Sequence, residues 1–340
     1  MSCRLALGVG VRESSDRATV LGMRTGNSSS VNGVTVAERT IIRSATDEAT
    51  RSRRRGPALS FGEPDRTSDD PGLFGPESVS WRVHADVIAG IGGLRAVLMQ
   101  GLLPEALSSI VQHSGYKQDP WGRLFRTAEY IGVITYGTTA EAERAAAQVR
   151  GMHRRLRLDD PEWLMWVHAA FTDSLLSTAV RAGVPLSSSE ADAYVAEQRT
   201  AARLVGLDPH TAPDSVATLN AYIDSMRPRL RADRTARETA RFVLVPPMSM
   251  RTQLLTPARP AWAGVAGTAF ALLPAWARRM YGGQLFGLPL VGTAVADAQA
   301  TIAVRALRQS LRALPASART GPHVSAARER LNLNNSTTRD

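Results

Sequence analysis

The stretch Val87-Ile88-Ala89-Gly90-Ile91-Gly92-Gly93-Leu94-Arg95-Ala96-Val97-Leu98 decides the fold class. Val87, Ile88, Ile91, Leu94, Val97 and Leu98 recur at i, i+3, i+4 and i+7, so residues 85–101 are predicted to form an amphipathic helix. Gly90-Ile91-Gly92-Gly93 sits inside that helical pattern with no strand ahead of it, which argues against a nucleotide-phosphate loop. Outward in both directions the same signal repeats. Prolines at 104, 120, 161, 185, 213, 246, 257 and 289 punctuate segments of helical length. Asp160-Pro161-Glu162 places an N-cap ahead of proline at the first helical position, and Ser187 with Glu190 has the spacing of a capping box. Alternating strand patterns are nearly absent, Phe242 to Val245 being the one tempting run. The expected architecture is a single all-α domain of about ten helices over residues 71–315.

Residues 1–70 are rich in Ser, Thr, Arg, Gly and Asp and include Arg53-Arg54-Arg55-Gly56-Pro57. Such a segment buries too little apolar surface to offset the entropy of ordering, and it is expected to be a disordered tail. Residues 316–340 repeat this character and are expected to form a flexible C-terminal tail. The one cysteine, Cys3, rules out an intramolecular disulfide, a cysteine-ligated cluster and thiolate or covalent haem attachment. No apolar run reaches the length of a membrane span; the nearest, Ala261 to Ala277, is interrupted by Gly264, Gly267 and Pro274. No transmembrane anchor and a cytoplasmic location are therefore expected. The net charge of +10 comes from 41 basic residues, all arginine except Lys117. That skew reflects codon composition as much as selection for a polyanion, so a specific nucleic-acid partner is not expected.

The chemistry-bearing residues concentrate between 120 and 170. On a helix starting near Pro120, Arg123, Thr127 and Tyr130 share a face, with Arg126 one step round. If that face is buried, the arginines need an anionic or π-rich partner. Haem offers both, through its propionates and an open iron face at which a hydroxyl or guanidinium hydrogen-bonds dioxygen. The competing reading pairs Arg123 and Arg126 with Asp119 and Glu129 at the surface. His153 shares an apolar stripe with Ala146, Val149 and Leu156, and His168 does so with Leu164, Phe171 and Leu175. Each is either an axial iron ligand or a hydrogen-bonded core histidine. The turn at Asp159-Asp160-Pro161 would let two antiparallel helices aim both imidazoles at one cavity. Glu-x-x-His, His-Glu-x-x-His and Gly-x-Ser-x-Gly are absent, which argues against di-iron carboxylate, zinc protease and esterase chemistry. The residues alone leave open a helical module that binds nucleic acid or an acidic partner.

Several segments resemble the MpaB-type oxygenase family, which includes the catalytic domain of rubber oxygenase (latex clearing protein). They are Trp81-Arg82-Val83-His84 with Asp86, Gly92 to Gln100, His113-Ser114, Gly122 to Thr127, Met152-His153, Trp166 to Ala169 and Leu186 to Glu190. They run in family order from about Gly72 to Met226, with a looser echo from Leu273-Pro274 to Tyr281-Gly282. The resemblance implies an all-α fold of globin-like character, haem b bound without covalent attachment, and dioxygen chemistry at the iron. It implies catalytic roles for Arg123, Arg126 and Thr127, which match a distal Arg-x-x-Lys-Thr motif with Arg in place of Lys. It places the proximal ligand at His153, while His168 matches the bacterial branch and is the alternative; His153, His168 and Arg123 are thus the implied cofactor contacts. The implied partners are dioxygen and an apolar, alkene or isoprenoid-derived small molecule. Two positions depart from the family: Leu103-Pro104 stands where many relatives have His-Pro, and the rubber enzymes' catalytic glutamate finds only Glu105 nearby. The polyisoprene substrate does not carry over, and a haem-free member is a further alternative.

Overall fold

The computed structural model describes residues 61–113, 120–246, 258–282, 284–285, 288–289 and 294–333; Cys3, Ser114 and Lys117 lie outside them. The helix expected over 85–101 is two. Helix α1 (Val79–Ala85) ends at Asp86, whose extended backbone turns the chain before α2 (Ala89–Gln100). Asp86 breaks the run because its carboxylate accepts the amide of Ile88 and binds Arg308, 222 residues away. Helix α3 (Pro104–His113), α4 (Pro120–Tyr136), α5 (Thr139–Leu156) and α6 (Pro161–Arg181) follow.

The predicted caps form. Asp160 accepts the amides of Glu162 and Trp163 with Pro161 in the first turn of α6. Ser187 and Glu190 close a capping box that starts α7 (Ser188–Val205). A second box, Thr138 with Glu141, starts α5. The run Phe242 to Val245 falls at the end of a helix, α9 (Arg234–Leu244), which follows α8 (Val216–Met226).

Helices α2 and α6 lie antiparallel at the centre. Trp166 donates its indole N–H to the Gln100 carbonyl, and Gln100 donates its amide to the Val167 carbonyl. Two turns along, a Cβ on Gly92 would meet the Leu175 Cα at 3.2 Å, so the backbones touch only because position 92 has no side chain. Leu98, Met99, Leu102, Trp166, Tyr194 and Phe270 fill the main core around this pair. The apolar run at 261–277 is broken at Pro274 into α10 (Ala258–Ala271) and α11 (Ala275–Met280). Among the described residues no single helix is long and apolar enough to cross a membrane. A two-residue antiparallel ladder, β1 (Gln284–Leu285) with β2 (Leu288–Pro289), precedes α12 (Ala294–Arg312).

Both boundaries of the expected domain move outward. Phe61 is buried against Tyr130, and the Asp65 amide donates to Glu141. Past residue 315, where a flexible tail was expected, the chain forms α13 (Ala316–Arg319) and α14 (Pro322–Arg330). Helix α14 buries His323, Val324, Ala326, Ala327 and Arg330. Its apolar side chains are small, so periodicity hardly marks it. Arg330 holds the segment instead, donating to the carbonyls of Asp65, Asp70 and Tyr136 at 3.1, 2.9 and 2.8 Å. Arg330→Met is expected to cost about 2–3 kcal/mol, since buried carbonyls lose charge-assisted donors. Denaturant unfolding checks this, and faster proteolysis after residue 315 should accompany it.

Candidate functional site

The first two turns of α4 carry Arg123, Arg126 and Thr127. Arg123 and Arg126 are half-buried and Thr127 is exposed. The Thr127 hydroxyl donates to the Arg123 carbonyl at 3.0 Å, the local back-bond a threonine makes within a helix. Tyr130, one turn on, is buried in the cluster with Phe61 and Val133, and its hydroxyl has no hydrogen-bond partner among the described residues. Burial pushes that phenol well above its ordinary range. The shared face thus runs from open at Thr127 to closed at Tyr130.

His153 sits in the last turn of α5. Its carbonyl accepts the Leu158 amide at 2.9 Å, closing the helix end over Arg157, which takes a left-handed conformation. The ring is half-buried and its Nδ1 is buried with no hydrogen-bond partner among the described residues. Burial lowers the imidazole pKa, with Asp159 pulling it up and Arg123 pushing it down. Arg123 thus acts on His153 only as the smallest of these three influences. Desolvation favours the neutral ring, the form in which an imidazole nitrogen keeps a lone pair that can ligate a metal.

His168 occupies the second turn of α6 and is buried. Burial takes its pKa down to about 4, so it is neutral at physiological pH.

A third histidine proves more elaborately held than sequence suggested. His84, on α1, bonds Thr135 Oγ1 through Nδ1 and Tyr194 Oη through Nε2, both at 3.0 Å, and burial lowers its pKa to about 4. It packs edge-on against Phe171 and Tyr194. With both nitrogens satisfied, His84 holds α1, α4 and α7 together and has no lone pair free for a metal. The two departures from family pattern also find places. Leu103 is fully buried in the main core, and Glu105 is exposed, 3.8 Å from Arg231. The described residues contain no cluster of three or more His, Cys, Asp or Glu side chains suited to a metal ion.

Sequence reasoning passed over the buried arginines. Arg95 lies 3% exposed on α2 and pairs with Asp173 on α6 at 2.7 Å; Arg278 is 1% exposed and pairs with Asp297 at 2.8 Å. The available signal was a guanidinium in the middle of an apolar helical stripe, a position that folding tolerates only with a buried partner.

Comparison with known families gives one finding. The model of the family described as "ER-bound oxygenase mpaB/B'/Rubber oxygenase, catalytic domain" matches residues 81–313, most of the chain. No curated protein and no solved structure matches.

Proposed function

This chain belongs to the mpaB/rubber oxygenase catalytic-domain family, and from that premise we propose that it is a haem b-dependent oxygenase acting on an apolar, alkene or isoprenoid-derived substrate. The proposed axial ligand is His153, with His168 as the alternative. The observation that carries the assignment is the neutral, half-buried His153 ring whose Nδ1 lacks a partner among the described residues. Haem held there would supply a redox-active iron able to take up dioxygen.

The chain's own residues have distinct parts in this reading. His153 stays unprotonated and keeps a lone pair for the metal. Arg123 stays charged and would offer a guanidinium to a propionate of a haem held there. The Thr127 O–H must rotate off the Arg123 carbonyl before it can donate elsewhere, and its exposed position leaves room for that turn. Arg126, one step round α4, would be a second cation near a haem held there.

Reconstitution with haem tests the assignment. His153→Ala is expected to lower haem affinity by at least about tenfold and shift the Soret band, as loss of an iron ligand does, while His168→Ala retains the band. Imidazole added to His153→Gly should restore the spectrum, which a purely structural role would not allow. An unchanged Soret band in His153→Ala removes His153 from the iron, and loss in His168→Ala alone moves the ligand there.

A further inference from the structure

His84 stands between two hydroxyls, Thr135 Oγ1 at Nδ1 and Tyr194 Oη at Nε2, each at 3.0 Å. Burial lowers its pKa to about 4, so the ring is neutral, with one N–H to donate and one lone pair to accept with. Thr135 and Tyr194 are both fully buried, so their hydroxyl protons need acceptors inside the protein. A phenol is a stronger donor than an aliphatic alcohol, and an imidazole nitrogen is the strongest acceptor of this trio. A helical threonine can instead turn its proton to the carbonyl one turn back. The arrangement that satisfies most groups is therefore Nδ1–H donating to Thr135 and the Tyr194 O–H donating to Nε2. The two rings meet edge to face, their centroids 5.8 Å apart.

The other tyrosines among the described residues are placed differently. Tyr136 and Tyr281 donate to the Trp81 and Leu98 carbonyls, at 3.2 and 2.7 Å. The buried hydroxyls of Tyr130 and Tyr222 have no hydrogen-bond partner among the described residues, nor has the indole N–H of Trp81, which packs edge-on against Tyr136. The difference matters for one-electron oxidation. Losing an electron turns a phenol into a strong acid, and the costly buried cation is avoided only where a base takes the proton in the same step. A carbonyl is too weak a base for this, whereas even a desolvated imidazole suffices, and 3.0 Å is within reach of direct transfer. The positive charge left behind is offset by Glu197, one turn along α7 from Tyr194. Its carboxylate accepts the Val79 and Ser80 amides at 3.0 and 2.7 Å and acts electrostatically on the phenol.

We propose that Tyr194 and His84 form a redox-active pair, in which Tyr194 gives one electron to an oxidant while its phenolic proton passes to His84 Nε2. The O–H bond breaks and an N–H bond forms, leaving a neutral tyrosyl radical beside an imidazolium. A one-electron reductant such as ascorbate reverses both transfers. The oxidant class is activated dioxygen, the reagent of oxygenase chemistry, which takes up the electron; the pair drains oxidising equivalents that miss the substrate. Only this source of the oxidant rests on the oxygenase reading, and the pair itself needs no haem.

Flash oxidation of the full, haem-free chain with photoexcited ruthenium tris(bipyridine) and persulfate, followed by freeze-trapping and electron paramagnetic resonance, tests the pair. Exposed phenoxyl radicals decay by meeting one another, so the signal that persists after the flash reads a buried one. A persistent tyrosyl signal that ascorbate removes is expected. Tyr194→Phe should lower its yield at least about fivefold, and His84→Gln, which keeps a hydrogen-bonding side chain but removes the base, at least about tenfold. Tyr136→Phe, at a phenol bonded only to a carbonyl, should leave the yield nearly unchanged. A purely structural role for His84 predicts no such split between variants that remain folded. If Tyr194→Phe or His84→Gln does not fold, the wild-type chain decides: labelling with 15N-histidine should reveal a nitrogen coupling to the radical. No persistent signal, a signal without histidine coupling, or an undiminished signal in Tyr194→Phe each overturns the proposal. Because the oxidant is supplied from outside, failure of haem to bind at His153 leaves this test intact.

Discussion

Asp86→Ala is expected to destabilise the protein by about 3–5 kcal/mol, the range for stripping one partner from a buried ion pair. Arg308 Nε lies 3.1 and 3.0 Å from the two Asp86 oxygens and its Nη2 lies 2.7 Å from one of them, while Nη1 donates to the Gly183 carbonyl. The side chains are 8% and 13% exposed, so water cannot replace the lost carboxylate. The pair ties α12 to the bend between α1 and α2 and to the turn that ends α6. Removing the acid alone strands a guanidinium; removing both groups does not. Asp86→Ala combined with Arg308→Met should therefore recover much of the loss, and the difference between single and double variants in denaturant midpoints isolates the coupling. A single-variant loss below about 1 kcal/mol would show that Arg308 finds another partner.

Legibility in sequence follows the reach of each interaction. The caps at Asp160 and Ser187 are complete within four residues, so their chemistry is written in consecutive letters. The all-helical class was equally plain from apolar spacing. By contrast, the split between α1 and α2 depends on Arg308, and the burial of α14 depends on carbonyls more than 190 residues away. Ala326 and Ala327, small and flanked by charge, gave no periodic signal though both are fully buried. At the candidate site the same division holds. His153 was marked by its own apolar stripe, and Arg123 by its helix. His84 was visible only as part of a family motif, because its partners Thr135 and Tyr194 come from two other helices. The pairing of the buried Arg95 was invisible for the same reason: it meets Asp173 and Leu272 only once α2, α6 and the end of α10 have docked.

Acidification from pH 6.5 toward pH 4 is expected to remove on the order of 3 kcal/mol of stability for each of His84 and His168, from shifts of about two and a half units at 1.36 kcal/mol per unit. Both rings are held neutral in the fold with pKa values of about 4, against 6.5 for an ordinary imidazole. Between those values the unfolded chain takes up a proton on each ring and the folded chain does not, so stability falls as pH falls. Above pH 6.5 neither state is protonated there and the contribution is flat. The cause is desolvation, since His84 already spends both nitrogens on the hydroxyls of Thr135 and Tyr194 and a second ring proton would be charged without water around it. Denaturant unfolding at pH 7 and pH 4.5 measures the loss. His84→Gln, which can bridge the same hydroxyls without titrating, should be less stable at pH 7 yet lose roughly half as much on acidification. An identical pH dependence in wild type and His84→Gln would mean that carboxylates, not these imidazoles, govern acid unfolding.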